Sequence, residues 1–384
     1  MDLAVAAHPL ARIIQIACLV VVPLVGTGGV RVDDQRAPSN AWVSASRLVE
    51  ARSYARAVEL ARGKILVVGG LDPDAPDVMR RSAELVDETT GESVAIPGPS
   101  VARIGATLTV LRNGNVLLAG GAERVDNAWS DVASAEIFEP RTMRWRTTAP
   151  LRLPRAEHGA VLLADGRVLV AGGQLGIRFL DTAELFDPSS ETWSSAARMP
   201  ETRSAFSLAL LLDGRVLLAG GLAASIPTRT SLFYDPRRNA WRPGPDTALE
   251  RLLHASVTLA NGDVLLAGGQ LVAAGSAERF DVRSGTFTYA GTLVWPRMIA
   301  LAGVRPDGRV VVAGGLPRPA AFLDHFAPMS TTEIYDPTTN HWSAGPKLPE
   351  GIAVAALVST KRGIWLLGGA MENEVPVDTI SVLR

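Results

Sequence analysis

Short runs of valine- and leucine-rich sequence recur along the chain, and each ends in a pair of glycines. The runs in DGRVLVAGG (165–173) and NGDVLLAGG (261–269) are nearly continuous rather than alternating, which predicts strands buried on both faces. A more mixed apolar stretch precedes each run. After it come a loop, a segment such as AELFDP (183–188) or TEIYDP (332–337), and then a tryptophan. The diglycines begin at Gly69, Gly120, Gly172, Gly220, Gly268, Gly314 and Gly368, with spacings of 51, 52, 48, 48, 46 and 54 residues. A period near fifty predicts one supersecondary unit repeated seven times.

The turn chemistry divides each unit into strands. Asn113-Gly114, Asp165-Gly166, Asp213-Gly214, Asn261-Gly262 and Asp307-Gly308 each stand seven residues before a diglycine, and such dipeptides predict two-residue hairpins joining strands one and two. The diglycine ends the second strand where backbones approach or turn too closely for a Cβ. Asp187-Pro188, Asp235-Pro236 and Asp336-Pro337 close the third strand, because proline cannot continue a central ladder. Trp145, Trp193, Trp241 and Trp342 open the fourth, with Phe287 in the same place, and are expected to pack between blades.

Paired glycines, an aromatic before a turn and a downstream tryptophan resemble the kelch repeat, over residues 42–384. The resemblance implies an all-β fold: a seven-bladed β-propeller of four-stranded antiparallel blades. Trp42 precedes the first diglycine with no blade before it, and the chain stops after Thr379 to Leu383, a third-strand segment. An N-terminal strand around Trp42 is therefore expected to complete the last blade and remove an exposed edge. Blade 1 has Ser93 and Val94 where a tryptophan is expected, which predicts a weakly anchored outer strand.

Ile13 to Val25 is uncharged, follows Arg12 and leads to Gly26, Thr27, Gly28 and Gly29, the layout of a secretory signal. The reading is a signal peptide over 1–32 (alternatively a membrane anchor), a linker over 33–40 and the propeller over 41–384. The protein is then secreted, periplasmic or held in the cell envelope, and free of the membrane once cleaved. The only cysteine, Cys18, lies in the removed stretch. The 38 basic and 39 acidic residues nearly cancel, leaving no basic stripe for nucleic acid.

Seventeen residues before successive diglycines stand Arg52, Arg103, Arg155, Arg203, Arg251 and Arg297, with Gly351 in the seventh place. They open the first strands, innermost in the kelch family, so one reading gathers them at a channel mouth as an anion site. Long loops reach the same face: Leu71 to Ser82, Ala122 to Ser134 carrying Asp126, Asn127 and Trp129, and Leu316 to Thr331 carrying Asp324 and His325. The other reading is structural, with Glu84, Glu136, Glu184, Glu278 and Glu333 within an arginine's reach across one strand.

Galactose oxidase and its relatives share this type of propeller, but their copper centre needs a tyrosine bonded to cysteine, which a chain cut after Cys18 lacks. His158 and His254 hold one repeat position that is Ala55, Ala106, Phe206, Ala300 or Val354 elsewhere, and so read as core residues rather than metal ligands. There is no nucleophile elbow, phosphate loop or paired metal motif. The expectation is a monomeric binding scaffold without metal, cofactor or assigned catalytic residue, taking a protein or glycan ligand, with an acidic one suiting the arginines. The alternative is an enzyme epimerising acidic sugars on the same face, with Glu157, Glu201, Glu250 or Glu350 moving a proton.

Overall fold

The structure, a computed structural model, describes residues 41–72, 79–126, 128–269, 275–317, 327–372 and 375–384. The expected signal with Cys18 lies outside these residues, as do Asn127, Asp324 and His325.

Seven four-stranded antiparallel sheets follow one another, and the expected all-β propeller is what the chain forms. Blade 3 is representative, with strands Gly159–Leu162, Val168–Ala171, Ala183–Asp187 and Thr192–Ser195. Its second strand is buried along its whole length because a neighbouring blade covers each face, and this is why the run carries no alternation. Phe186 pairs with Trp193 across the outer strands with ring centroids 5.0 Å apart, and Trp193 Nε1 donates to Ala149 O of the preceding blade at 2.9 Å. Phe280 and Phe287 occupy the same places in blade 5 and meet edge to face, with centroids 5.3 Å apart.

The first hairpins differ from the expected two-residue turns. Gly166 N donates to Leu163 O at 2.9 Å and Leu163 N to Arg167 O at 2.8 Å, so three residues make the loop. Only the glycine has a positive φ, while Asp165 accepts from the Arg167 amide. This is a type I turn closed by a left-handed glycine, the next commonest hairpin solution.

In blades 2 to 7 the second glycine of the pair bolts one blade to the next. Gly121 N donates to Arg155 O, Gly173 N to Arg203 O, Gly221 N to Arg251 O, and Gly269 N to Arg297 O, at 2.6–3.0 Å. A Cβ on Gly173 would lie 2.4 Å from Ala156 O, so the bolt excludes any side chain. Gly369 N donates to Arg52 O at 2.9 Å and joins the last blade to the first.

Closure is as expected: blade 7 runs Ala356–Thr360, Gly363–Leu367, Thr379–Leu383 and then Trp42–Arg47 as its outer strand. Trp42 stands opposite Leu383, and its Nε1 donates to Thr332 Oγ1 of blade 6 at 3.1 Å. In blade 1 the outer strand Ser93–Ile96 is held differently from the others. Ser93, in the tryptophan position, donates to Glu84 Oε2 at 2.6 Å.

Candidate functional site

The six arginines lie inside the blades, each side chain almost wholly buried. Arg155 Nη1 donates to Gly172 O and Thr182 O, both at 3.0 Å, and Nη2 to Thr182 Oγ1 at 3.0 Å and Glu184 Oε1 at 2.8 Å. Glu184 in turn accepts from the amides of Arg152 and Leu153 at 2.7 and 3.2 Å. One ion pair thus ties the ends of the inner strands to the chain segment crossing from the previous blade. The same pairing joins Arg52 to Glu84, Arg103 to Glu136, Arg251 to Glu278 and Arg297 to Glu333, at 2.5–3.0 Å. Burial lowers the pKa of each guanidinium and the glutamate's charge opposes that shift. Of the two readings, the geometry matches the tie across the blade; the side chains do not line a mouth.

Two blades depart from the clamp, and each departure is balanced. Blade 4 has Leu232 where blades 1, 2, 3, 5 and 6 have glutamate, and Arg203 pairs with Glu201 from its own lead-in segment and with Thr230 Oγ1. Blade 7 has neither charge: Ile352 replaces the arginine, and Ser381, opposite Leu366, replaces the acid. Counting seventeen residues back gave Gly351. The equivalent is Ile352, whose carbonyl accepts from Gly315 N, because the hairpin at Lys361-Arg362 is one residue shorter than the others. The corrected counterpart of His158 in that blade is Ala355 rather than Val354.

Two residues beyond each arginine position, Tyr54, Gly105, Glu157, Ala205, Leu253, Ile299 and Val354 encircle the axis, all with φ between +49° and +66°. Tyr54 N donates to Val354 O, Glu157 N to Gly105 O and Ile299 N to Leu253 O, at 2.9–3.0 Å. These bonds hold β-branched Ile299 and Val354 in a strained region, at a cost of about 1–3 kcal/mol each. With Ile104, Leu252, Met298 and Ala353 they make an apolar plug. Among the described residues Glu157 is its one acid, 2% exposed, with Oε1 lying over Gly105, where a Cβ would come within 2.5 Å. Of the other glutamates considered for proton transfer, Glu201 is committed to Arg203, Glu250 is exposed and Glu350 is half-buried.

His158 and His254 are buried under the diglycines of the preceding blades, where Phe206 fills the same space in blade 4. His158 Nε2 meets Thr107 Oγ1 at 3.0 Å. Burial pushes His254 down to about 3, helped by the charge of Arg251, and pushes His158 down as well. Among the described residues no three His, Cys, Asp or Glu side chains converge as a metal site.

Among the described residues, the arginine face presents three two-stranded hairpins outward, on consecutive blades. They pair Ala122–Val125 with Ala128–Asp131, Gln174–Leu175 with Arg178–Phe179, and Leu222–Ala223 with Ile226–Pro227. At or beside their tips Val125, Ile177 and Ile226 are 49%, 91% and 67% exposed. Asp126 is exposed at the first tip, Trp129 is half-buried against the axial plug with Arg124 5.8 Å from its ring centroid, and Asp131 binds the Gly176 amide and links two hairpins. Sequence reading passed over Ile177 and Ile226. Their signal was an isolated large aliphatic between turn residues, easily taken as a strand edge. On the opposite face a cleft of about 590 Å³ lies between Arg167 and Arg238, lined by the Arg167–Asp165, Arg215–Asp213 and Arg238–Asp235 pairs, which largely neutralise one another.

Seven such sheets bolted about an axis define a β-propeller. A family model for the kelch motif matches residues 154–200, which span blade 3. The kelch repeat protein M-T8 of Myxoma virus (strain Lausanne) is 28% identical over 106 residues, 27% of this chain and 19% of that protein, so the match spans about a fifth of that relative's length. Among solved structures, a fungal alcohol oxidase of the AA5 family in complex with copper superposes with a TM-score of 0.69 at 19% identity, covering 89% of this chain and 75% of its own. The structure of YjhT superposes with a TM-score of 0.56 at 13% identity, covering 87% of this chain and 95% of its own. Both likenesses are of fold alone. The chain is a seven-bladed β-propeller in which residues 154–200 match the kelch motif.

Proposed function

We propose that this propeller is a binding scaffold that takes its ligand, a protein or glycan, on the hairpin face of blades 2 to 4. The observation that carries the reading is the row of aliphatic tips at Val125, Ile177 and Ile226, held out on short paired strands. Exposing large aliphatics on ordered hairpins costs solubility, and apolar side chains gathered on one face support an interaction site there. The six arginines build the face, since their Nη donors are taken within the blades. The face therefore needs no acidic ligand. A triple variant Val125→Ser, Ile177→Ser, Ile226→Ser leaves the buried core untouched and tests it. In a binding screen of the mature chain against envelope proteins and glycans, the variant is expected to lose the ligands that the parent takes. Equal binding by both chains would refute the assignment.

We further propose that the scaffold works outside the cytoplasm, on the strength of the apolar N-terminal stretch and the small residues after it. N-terminal sequencing of protein recovered from culture fluid or envelope is expected to begin beyond that stretch. An intact Met1 would contradict cleavage.

A further inference from the structure

The junction where the ring closes, between blades 1 and 7, carries a pair of acids at positions that are apolar in most other blades. Along the first strand of blade 1, Ala55 and Ala57 pack against Ala356 and Val358 of blade 7. The alternation of the strands carries this layer on to Glu59 on one side and Thr360 on the other. Val86 of the third strand belongs to the same layer, and Glu88 lies two residues further along it. At the position of Glu59, blades 2, 3, 4 and 6 carry valine or leucine; at that of Glu88 the same blades carry proline. Two carboxyl groups thus replace apolar packing at one end of one seam.

Glu88 is 2% exposed, and its Oε1 has no hydrogen-bond partner among the described residues. Its position is fixed, because its amide donates to Gly63 O at 2.9 Å. The charges facing the pair are Asp87, already tied to Lys64 at 2.6 Å, and Lys361 and Arg362 in the short turn of blade 7. An ionised carboxylate with one oxygen unpartnered in such a place is costly, whereas the protonated acid is tolerated. Burial first, and the charge of Glu88 second, push Glu59 up to about 7; burial likewise raises Glu88, with Thr360 and Arg362 opposing.

We propose that Glu59 and Glu88 form a proton-operated latch on the closing seam, tight while the pair holds a proton and loosened when both acids are ionised. Because the folded protein holds this proton more firmly than an unfolded chain does, the latch contributes fully below the ordinary glutamate range. That contribution fades as pH rises toward about 7.

Native-state hydrogen exchange on the whole chain, corrected for the intrinsic pH dependence of the chemistry, reads the latch directly. Between pH 5.5 and 8, protection of the Glu88 amide and of the Arg56–Leu60 strand is expected to fall by about tenfold relative to Val264–Ala267 of blade 5. In Glu59→Gln, and independently in Glu88→Gln, that relative fall should disappear. A seam that follows blade 5 at both pH values, or a fall that persists in both variants, would overturn the proposal.

Discussion

Removing Glu184 while leaving Arg155 in place isolates what the arginine clamp contributes. The Arg155 side chain has no exposed surface and that of Glu184 is 3% exposed, so water cannot replace the lost partner. Loss of the 2.8 Å charge-assisted bond is worth about 1.5–3 kcal/mol, and the Arg152 and Leu153 amides lose their acceptor as well. The sum agrees with the roughly 3–5 kcal/mol expected for breaking a buried pair from one side. Glu184→Ser should therefore be strongly destabilising in urea unfolding followed by fluorescence. Blade 7 shows the remedy, since Ile352 and Ser381 fill these two positions without charge. The double variant Arg155→Ile, Glu184→Ser should accordingly be more stable than Glu184→Ser alone, by about 1–3 kcal/mol. It will not recover fully, because Gly172 O and Thr182 O lose a donor. A double variant at or below the stability of the single one, or a single variant within about 0.5 kcal/mol of the parent, would refute the reasoning.

Three further outcomes follow from the same geometry. Gly173→Ala, with φ +86° and a would-be Cβ 2.4 Å from Ala156 O, should cost at least ~3 kcal/mol; Gly214→Ala, at the same φ in open space, should cost about 1 kcal/mol, and thermal melts separate the two. His254 is held neutral, so its contribution to stability is present above its ordinary pKa near 6.5 and is lost as pH falls toward about 3. His254→Phe, which copies Phe206, should flatten that acid limb in melts recorded from pH 7 to 4. Trp42→Ala removes the buried indole that joins the N-terminal strand to blade 6 and should cost about 3–5 kcal/mol in chemical unfolding.

Much of the fold was legible because its determinants are local and repeated. The diglycines counted the blades, since the interblade bolt admits no Cβ at Gly173 or its counterparts. The lone Trp42 announced the closing strand, because an indole of this repeat has its place between blades. The hairpin type was misread, as an Asp-Gly pair fits both a two-residue turn and a three-residue loop, and only the hydrogen bond from Leu163 to Arg167 decides. The arginines were legible as a periodicity but not in direction. A side chain at a strand's start can turn toward the axis or back into its sheet, and the choice rests on Glu184 and its equivalents some thirty residues away. Ile177 and Ile226 were invisible as surface features because nothing local says whether a single aliphatic in a loop is covered.

The central claim is that the arginine ring is internal framework and that the hairpin face, as proposed, does the binding. Arginine-selective modification of the folded chain with phenylglyoxal, read residue by residue by mass spectrometry, tests the first half of that claim directly. Arg178 and Arg237, both exposed, should react quickly, while Arg52, Arg103, Arg155, Arg203, Arg251 and Arg297 stay unmodified until the chain is unfolded. Reaction of the six at the rate of Arg178 in the folded protein would contradict it and return them to the channel mouth.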